Sequence, residues 1–194
     1  MNQEVTQKYP SGYTMLVLLF VLQIASIAAV IVMPPIIKVV AALVAVAVFI
    51  CWFGFFLINP NEGKVLQLFG SYIGTCRDPG LRWANPFFSK HTISLRVRNF
   101  ESSKLKVNDS HGNPIEIASV VVWRVVDTAE AMFQVDDYEN FVSIQSEAAV
   151  RNLATTYPYD QHEDGEIALR SHSADIADEM RKEIQARLTT AGVE

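Results

Sequence analysis

Between Tyr13 and Ile58 the chain is almost free of polar positions, and this run frames everything that follows it. Pro34-Pro35 divides it into two arms, predicted as helices over 13–33 and 39–58. Each arm is about twenty residues, which at helical rise crosses a hydrocarbon core of roughly 30 Å. Lys38, beside the break, is the one ionisable residue apart from the neutral thiol of Cys51. Two successive prolines cannot continue a helix, so the pattern predicts a hairpin that turns at Pro34 and Pro35. A buried soluble helix would need a polar face, and neither arm has one. A cleaved signal peptide could use Lys8 and a Ser26-Ile27-Ala28 site, but the apolar run continues well beyond it. Arm length favours full spanning over a shallow hairpin confined to one leaflet. Ala25 with Ala29, and Ala41 with Ala45, have the four-residue spacing that lets helices approach closely in lipid.

Residues 1–12 read as a polar, disordered lead-in. Past the run, Asn59 to Gly63 is a cluster of turn formers, and the soluble domain is placed over 59–194. Lys64–Phe69 reads as a strand, and 70–88 as turns with brief extended pieces. Leu81, Trp83, Phe87 and Phe88 sit among those turns, near the bilayer, and either fill the core or dip into the interface. His91, Ile93, Leu95 and Val97 alternate with polar residues, as in a half-buried strand. A weaker strand, Phe100–Val107, leads to a hairpin turn over 108–113. Ile115–Val126 is apolar on both faces and is predicted as the central strand, with Trp123 in the core. Helices follow. Asp127 caps a short one, Asp136-Asp137 opens another to about Thr156 with Tyr138, Phe141, Ile144 and Ala148 on one face, and a last runs from Ser173 to Thr190, stopped by Gly192. Strands first and helices later make an α+β domain.

Charge adds a topology. Lys8, Lys64, Arg77 and Arg82 flank the run, against Lys38 at its turn, which puts both termini in the cytoplasm. Of 16 basic and 21 acidic residues, only Lys8, Lys38 and Glu4 precede the soluble part. That part is therefore acidic by about six charges and lacks the basic footprint nucleic acid requires. Two cysteines form no disulfide framework.

Candidate chemistry is sparse. His162-Glu163-Asp164-Gly165-Glu166 begins like a zinc-protease helix, but Glu166 stands where the second histidine belongs. Asp160, His162 and Asp164 echo a calcium loop, but its closing glutamate would fall at Ser171. Cys76 beside Arg77 could be an activated thiol or a plain loop cysteine. His91, His111 and His172 have no triad partner readable in the sequence, and no nucleophile elbow or Walker loop occurs. The chain reads as a non-enzyme without cofactor or metal.

The ordered set Phe69-Gly70, Pro79-Gly80-Leu81 and Pro86-Phe87-Phe88 resembles the opening of the stomatin/prohibitin/flotillin (SPFH, band 7) domain. The Asp109–Gly112 turn, the Arg124–Asp127 strand end, Arg151 on a helix and the closing Gly192-Val193 are similar to its later parts. The turn is wider here, by Ser110-His111, than is usual for the family. The resemblance implies a stomatin-like protein of a bacterial inner membrane. It implies a non-catalytic scaffold that forms rings or cages, organises membrane lipids into microdomains, and restrains a membrane protease or another membrane-protein client. The alternative is a small heteromeric regulatory subunit of one membrane enzyme. Relatives continue into a coiled coil, so the domain is expected to be cut short at Glu194. Ile176, Met180, Ile184 and Leu188 form a narrow stripe on the last helix, with Asp178–Lys182 and Glu183–Arg187 pairs beside it, and are the candidate self-association residues.

Overall fold

The structure is a computed structural model that describes residues 4–160 and 167–194. Two compact units are present, one over Glu4–Ser94 and one built from Leu95 onward. Each is taken by itself.

The first unit opens with the two apolar helices, α1 (Gly12–Val32) and α2 (Pro35–Cys51). The break falls as predicted, but the prolines divide the work. Pro34 is extended, with ψ 160°, while Pro35 is the first residue of α2, where a missing N–H costs nothing. The seam between the helices uses Leu19 and Ser26 against Ala41 and Val48. Ala45 is half-buried, whereas Ala25 faces outward, so only the second alanine pair serves the packing. Ser26 is buried because its hydroxyl donates to the Gln23 carbonyl at 2.9 Å, which satisfies it within its own helix. Most other side chains of the pair are exposed leucine, isoleucine, valine and phenylalanine.

The second helix ends earlier than predicted. After a 3-10 turn at Trp52–Gly54, the chain enters β1 (Phe55–Ile58), whose strand pairing takes over residues the hydropathy pattern assigned to the helix. Then come β2 (Glu62–Leu68), β3 (Ser71–Cys76), β4 (Gly80–Trp83) and β5 (Ser89–Ser94). Two regular strands therefore occupy the 70–88 stretch expected to be mostly turns. β1 pairs antiparallel with β4, and β2 lies between β3 and β5. A register shift at Leu66/Gln67 goes with burial of the consecutive Val65 and Leu66, both 0% exposed. Phe56, Ile58, Leu66, Cys76 and Ala84 form the core, with Tyr9 and Phe88 packed on it.

The expected disorder of residues 1–12 is corrected by the described part of that segment. Thr75 donates its N–H to the Val5 carbonyl at 2.9 Å and accepts from Gln7 at 3.0 Å. Residues 5–7 thus add a short parallel pairing to the outer edge of β3, and Ser11 bridges Arg82 on β4.

The second unit contains β6 (Arg98–Glu101), β7 (Leu105–Asn108), β8 (Pro114–Ile117), β9 (Val120–Trp123), α3 (Thr128–Phe133), α4 (Tyr138–Thr156) and α5 (Ser173–Leu188). Among the described residues β6 pairs only with β9, and β7 only with β8. The expected central strand over 115–126 is therefore two short strands, broken at Ala118-Ser119. Its apolar faces have separate causes: Trp123 is 5% exposed in the core, while Val120 and Val122 are 64% and 62% exposed. The centre of a sheet falls to β2 instead.

The helix caps hold. The Asp127 carboxylate accepts from the Glu130 N–H at 2.8 Å, and Asp137 accepts from Glu139 and Asn140. On α4 the buried face is Val142, Ser146, Ala149, Val150 and Leu153; Ile144, read as inward, is 56% exposed. A 3-10 turn follows α5, and Gly192 ends it with φ +64°.

Candidate functional site

The site with most built structure is the junction where both apolar helices meet their sheet. Gly12 begins α1 against Leu81, and a Cβ there would lie 2.4 Å from that side chain. Gly54 follows α2 against Ala84, whose carbonyl oxygen would be 2.3 Å from an added Cβ. Trp83 ties the second helix down, its indole N–H donating to the Cys51 carbonyl at 2.8 Å. Ala84 adds a backbone bond to Gly54 at 3.1 Å. Leu81 and Trp83 thus belong to this seam.

The lead-in segment closes the junction from the other side. Arg77 donates to both oxygens of Glu4, with Nε 2.6 Å from Oε1. Arg82 reaches the Tyr9 carbonyl at 3.2 Å and Asp78 at 3.8 Å. Tyr9 meets the Phe56 ring edge-on, and its burial pushes the phenol pKa up. Sequence reasoning missed Glu4, Tyr9 and Trp83 as fastening residues. Their partners lie 73 or 32 positions away, and no local period announces them.

Cys76 is not an activated loop thiol. It closes β3 at 0% exposure, and burial pushes its pKa up, away from thiolate character. Arg77 is engaged with Glu4.

The remaining motif residues are turns and joints. Phe69 and Gly70 are the two-residue turn between β2 and β3, with φ +48° and +89°. Gly80 enters β4 at φ +105°, just after Pro79. Pro86 sits in a turn where Phe87 donates its N–H to the Asn85 Oδ1.

In the second unit Asp109 is a buried hub rather than only a turn former. Its carboxylate accepts from the N–H groups of His111 (3.0 Å) and Asn113 (2.7 Å), from the Asn113 amide (3.1 Å), and from the distant Tyr159 N–H (3.1 Å). Desolvation raises its pKa, but the Tyr159 N–H, both Asn113 donors and the His111 N–H outweigh that and hold it at about 2. Gly112, at φ +86°, completes the widened turn.

Arg124, Asp127 and Gly192 form one joint. The backbones of Arg124 and Glu194 pair in both directions, and the Arg124 guanidinium meets the Glu194 carboxylate at 3.2 Å. Arg151 is exposed on α4, with no ion pair among the described residues. On α5, Ile184 and Leu188 are buried in their own unit, and Ile176 and Met180 are half-buried. Lys182 pairs with Glu179 at 3.6 Å, not with Asp178 as expected, while the Glu183–Arg187 pair forms at 2.6 Å. A groove of about 500 Å³ separates α5 from β9, walled by Val97, Val120, Val122, Met180 and Arg181.

Among the described residues no group of three or more His, Cys, Asp or Glu is placed to hold a metal ion. His162, Glu163, Asp164 and Glu166 lie outside the described residues. Asp160 pairs with Arg170 at 3.1 Å.

The family model for the SPFH domain / Band 7 family matches residues 56–194. An uncharacterized protein of Methanocaldococcus jannaschii is 24% identical over 119 residues, which are 60% of this chain and 58% of that protein. The chain thus matches little more than half the length of that relative.

Proposed function

This chain belongs to the SPFH/band 7 family, and from that premise we propose that it is a non-catalytic scaffold anchored in a membrane by α1 and α2. One observation carries the reading. Both apolar helices start or end on the same small sheet, at Gly12 and Gly54, in seats too tight for any other residue. Each is long enough to cross a bilayer, at 21 and 20 residues with the 3-10 turn counted. The exposed aliphatic surface of the pair is suited to lipid. The sheet is suited to the water layer beside it, on the cytoplasmic side that the flanking charges favour.

Scaffolding needs contact between copies. We place that contact on the groove between β9 and α5, where Val97, Val120 and Val122 are exposed next to Met180. A groove on one flank is met by a different surface of the next copy, and such head-to-tail contacts close into rings. Restraint of a membrane protease, or of another client, would follow from the enclosure such a ring makes.

Light scattering of the natural full-length protein in mild detergent tests the reading. The expected result is a large closed assembly that Val122→Asp dissociates. A monomer or dimer across micromolar concentrations defeats it, and a small complex with one membrane enzyme would install the heteromeric subunit in its place.

A further inference from the structure

Phe69 and Phe87 occupy the same end of the three-stranded sheet. The β2–β5 ladder ends at Gln67 opposite Ser89. Phe69, in the turn that follows β2, and Phe87, in the turn that precedes β5, both lie just beyond that end of the ladder. Both rings are in the open, Phe69 at 89% exposure and Phe87 at 62%. The backbone sets where each ring leaves the chain. Phe69 has φ +48° in a two-residue turn, a conformation that Asn or Gly takes readily and that strains other residues. Phe87 is fixed by its bond to the Asn85 side chain at 3.0 Å. A large apolar side chain at a strained, exposed turn is a poor choice for a surface that meets only water.

The level of these rings follows from Lys90. It stands opposite Leu66, and its ammonium donates to the Phe53 carbonyl at 3.1 Å, at the join between α2 and β1. β1 leads from α2 to the tight turn before β2, closed by the Glu62 N–H and the Asn59 carbonyl. Phe69 follows Leu66 by three residues, and Phe87 follows by three residues Ala84, which bonds to Gly54 at 3.1 Å, so both turns leave the sheet near the join with α2. Phe53, 65% exposed, is at the same boundary.

We propose that Phe69 and Phe87 dip side by side into the headgroup layer of the bilayer that holds α1 and α2. This rests on the reading of those helices as membrane helices. The two rings make a third point of attachment beside the Gly12 and Gly54 seats, so the sheet cannot pivot on the helix ends. Lipid is the occupant because the rings continue the surface the helices present. Two phenylalanines cover at most a few hundred Å², well short of the roughly 800 Å² per partner of a stable protein contact.

The test uses the full chain in lipid nanodiscs with Cys51→Ala, the fully buried Cys76 being left in place. An environment-sensitive fluorophore is attached at Phe69→Cys or Phe87→Cys. Val44→Cys in α2 and Asn61→Cys at the opposite turn are the controls. Spin-labelled lipids should quench the fluorophore at positions 69, 87 and 44 and leave position 61 unchanged. Quenching at 44 without quenching at 69 and 87 overturns the insertion while the anchor stands. A blue shift at 69 and 87 without lipid quenching also overturns it, and assigns the face to a protein neighbour. No quenching at 44 removes the anchor and the inference together. If Phe69→Cys melts below the parent, a label on exposed Ser71 takes its place.

Discussion

Gly192 lies against Asp127. Its carbonyl accepts the Asp127 N–H at 3.0 Å and the Val126 N–H at 2.9 Å, while the Asp127 carboxylate caps α3. The end of α5 is thereby joined to the start of α3. A Cβ on Gly192 would come within 2.4 Å of the Asp127 carbonyl oxygen, and φ is +64°. Gly192→Ala should therefore cost at least about 1–3 kcal/mol from backbone strain, with the clash added. Thermal unfolding measures this, and an unchanged melting temperature would mean that the joint relaxes freely.

Asp109 predicts an acid-sensitive turn. Its folded pKa of about 2 lies below the ordinary carboxylate value of about 3.9. The unfolded chain therefore binds the proton more readily. The stabilising contribution is complete above about pH 4 and is lost as pH falls toward 2. Asp109→Asn should melt below the parent at pH 6, with the gap closing between pH 4 and 2. A gap independent of pH would show that packing, not charge, is what the substitution removes.

Glu4 and Arg77 predict that the lead-in strand can be released by one change. The Glu4 side chain is 9% exposed and accepts two charge-assisted bonds, each of a kind worth about 1.5–3 kcal/mol. Glu4→Ala should raise amide exchange at Gln7 and Thr75 by roughly tenfold to a hundredfold, with less change at Leu66. Equal exchange in both proteins would leave the pairing to the backbone alone.

Trp123 is 5% exposed and meets the Tyr138 ring edge-on at 6.1 Å and the Arg98 guanidinium at 5.6 Å. Although β9 has one partner strand among the described residues, Trp123→Ala should cost about 3–5 kcal/mol, the usual penalty for removing a buried aromatic. Denaturant unfolding of the full chain in mild detergent measures it. A loss under about 1 kcal/mol would make β9 peripheral to the core.

Topology is tested on intact cells with an impermeant thiol reagent, in a background lacking Cys51 and Cys76. Ser11→Cys should stay unlabelled and Pro35→Cys should react, since the positive flanks hold both helix ends inside. Labelling at position 11 reverses the orientation. Silence at position 35 favours a hairpin confined to one leaflet.

By itself the sequence determined the features that rest on neighbouring residues. Two apolar arms and a Pro-Pro break specify a helical pair. Asp127 and the Asp136-Asp137 pair specify helix starts, and Gly192 specifies a stop, because caps and positive-φ stops involve residues a few positions apart. The alternation over His91–Val97 was legible as a strand only as far as Ser94, where β5 ends, and of its expected inward positions only Ile93 is buried; Trp123 was legible as core. Tertiary structure alone decided where α2 ends, since pairing with β4 draws Phe55–Ile58 out of a run that hydropathy assigns to helix. It also decided that Glu4 and Val5 are fastened to β3, that β2 and not the 115–126 run is the central strand, and that Ile144 points outward. Each of those outcomes depends on a partner that chain folding brings from far away. Asp109 joins both kinds of information: its turn is local, but the Tyr159 N–H that completes its shell is 50 residues distant. An apolar residue looks the same in sequence whether its neighbour is core, lipid or water, and only the fold supplies the neighbour.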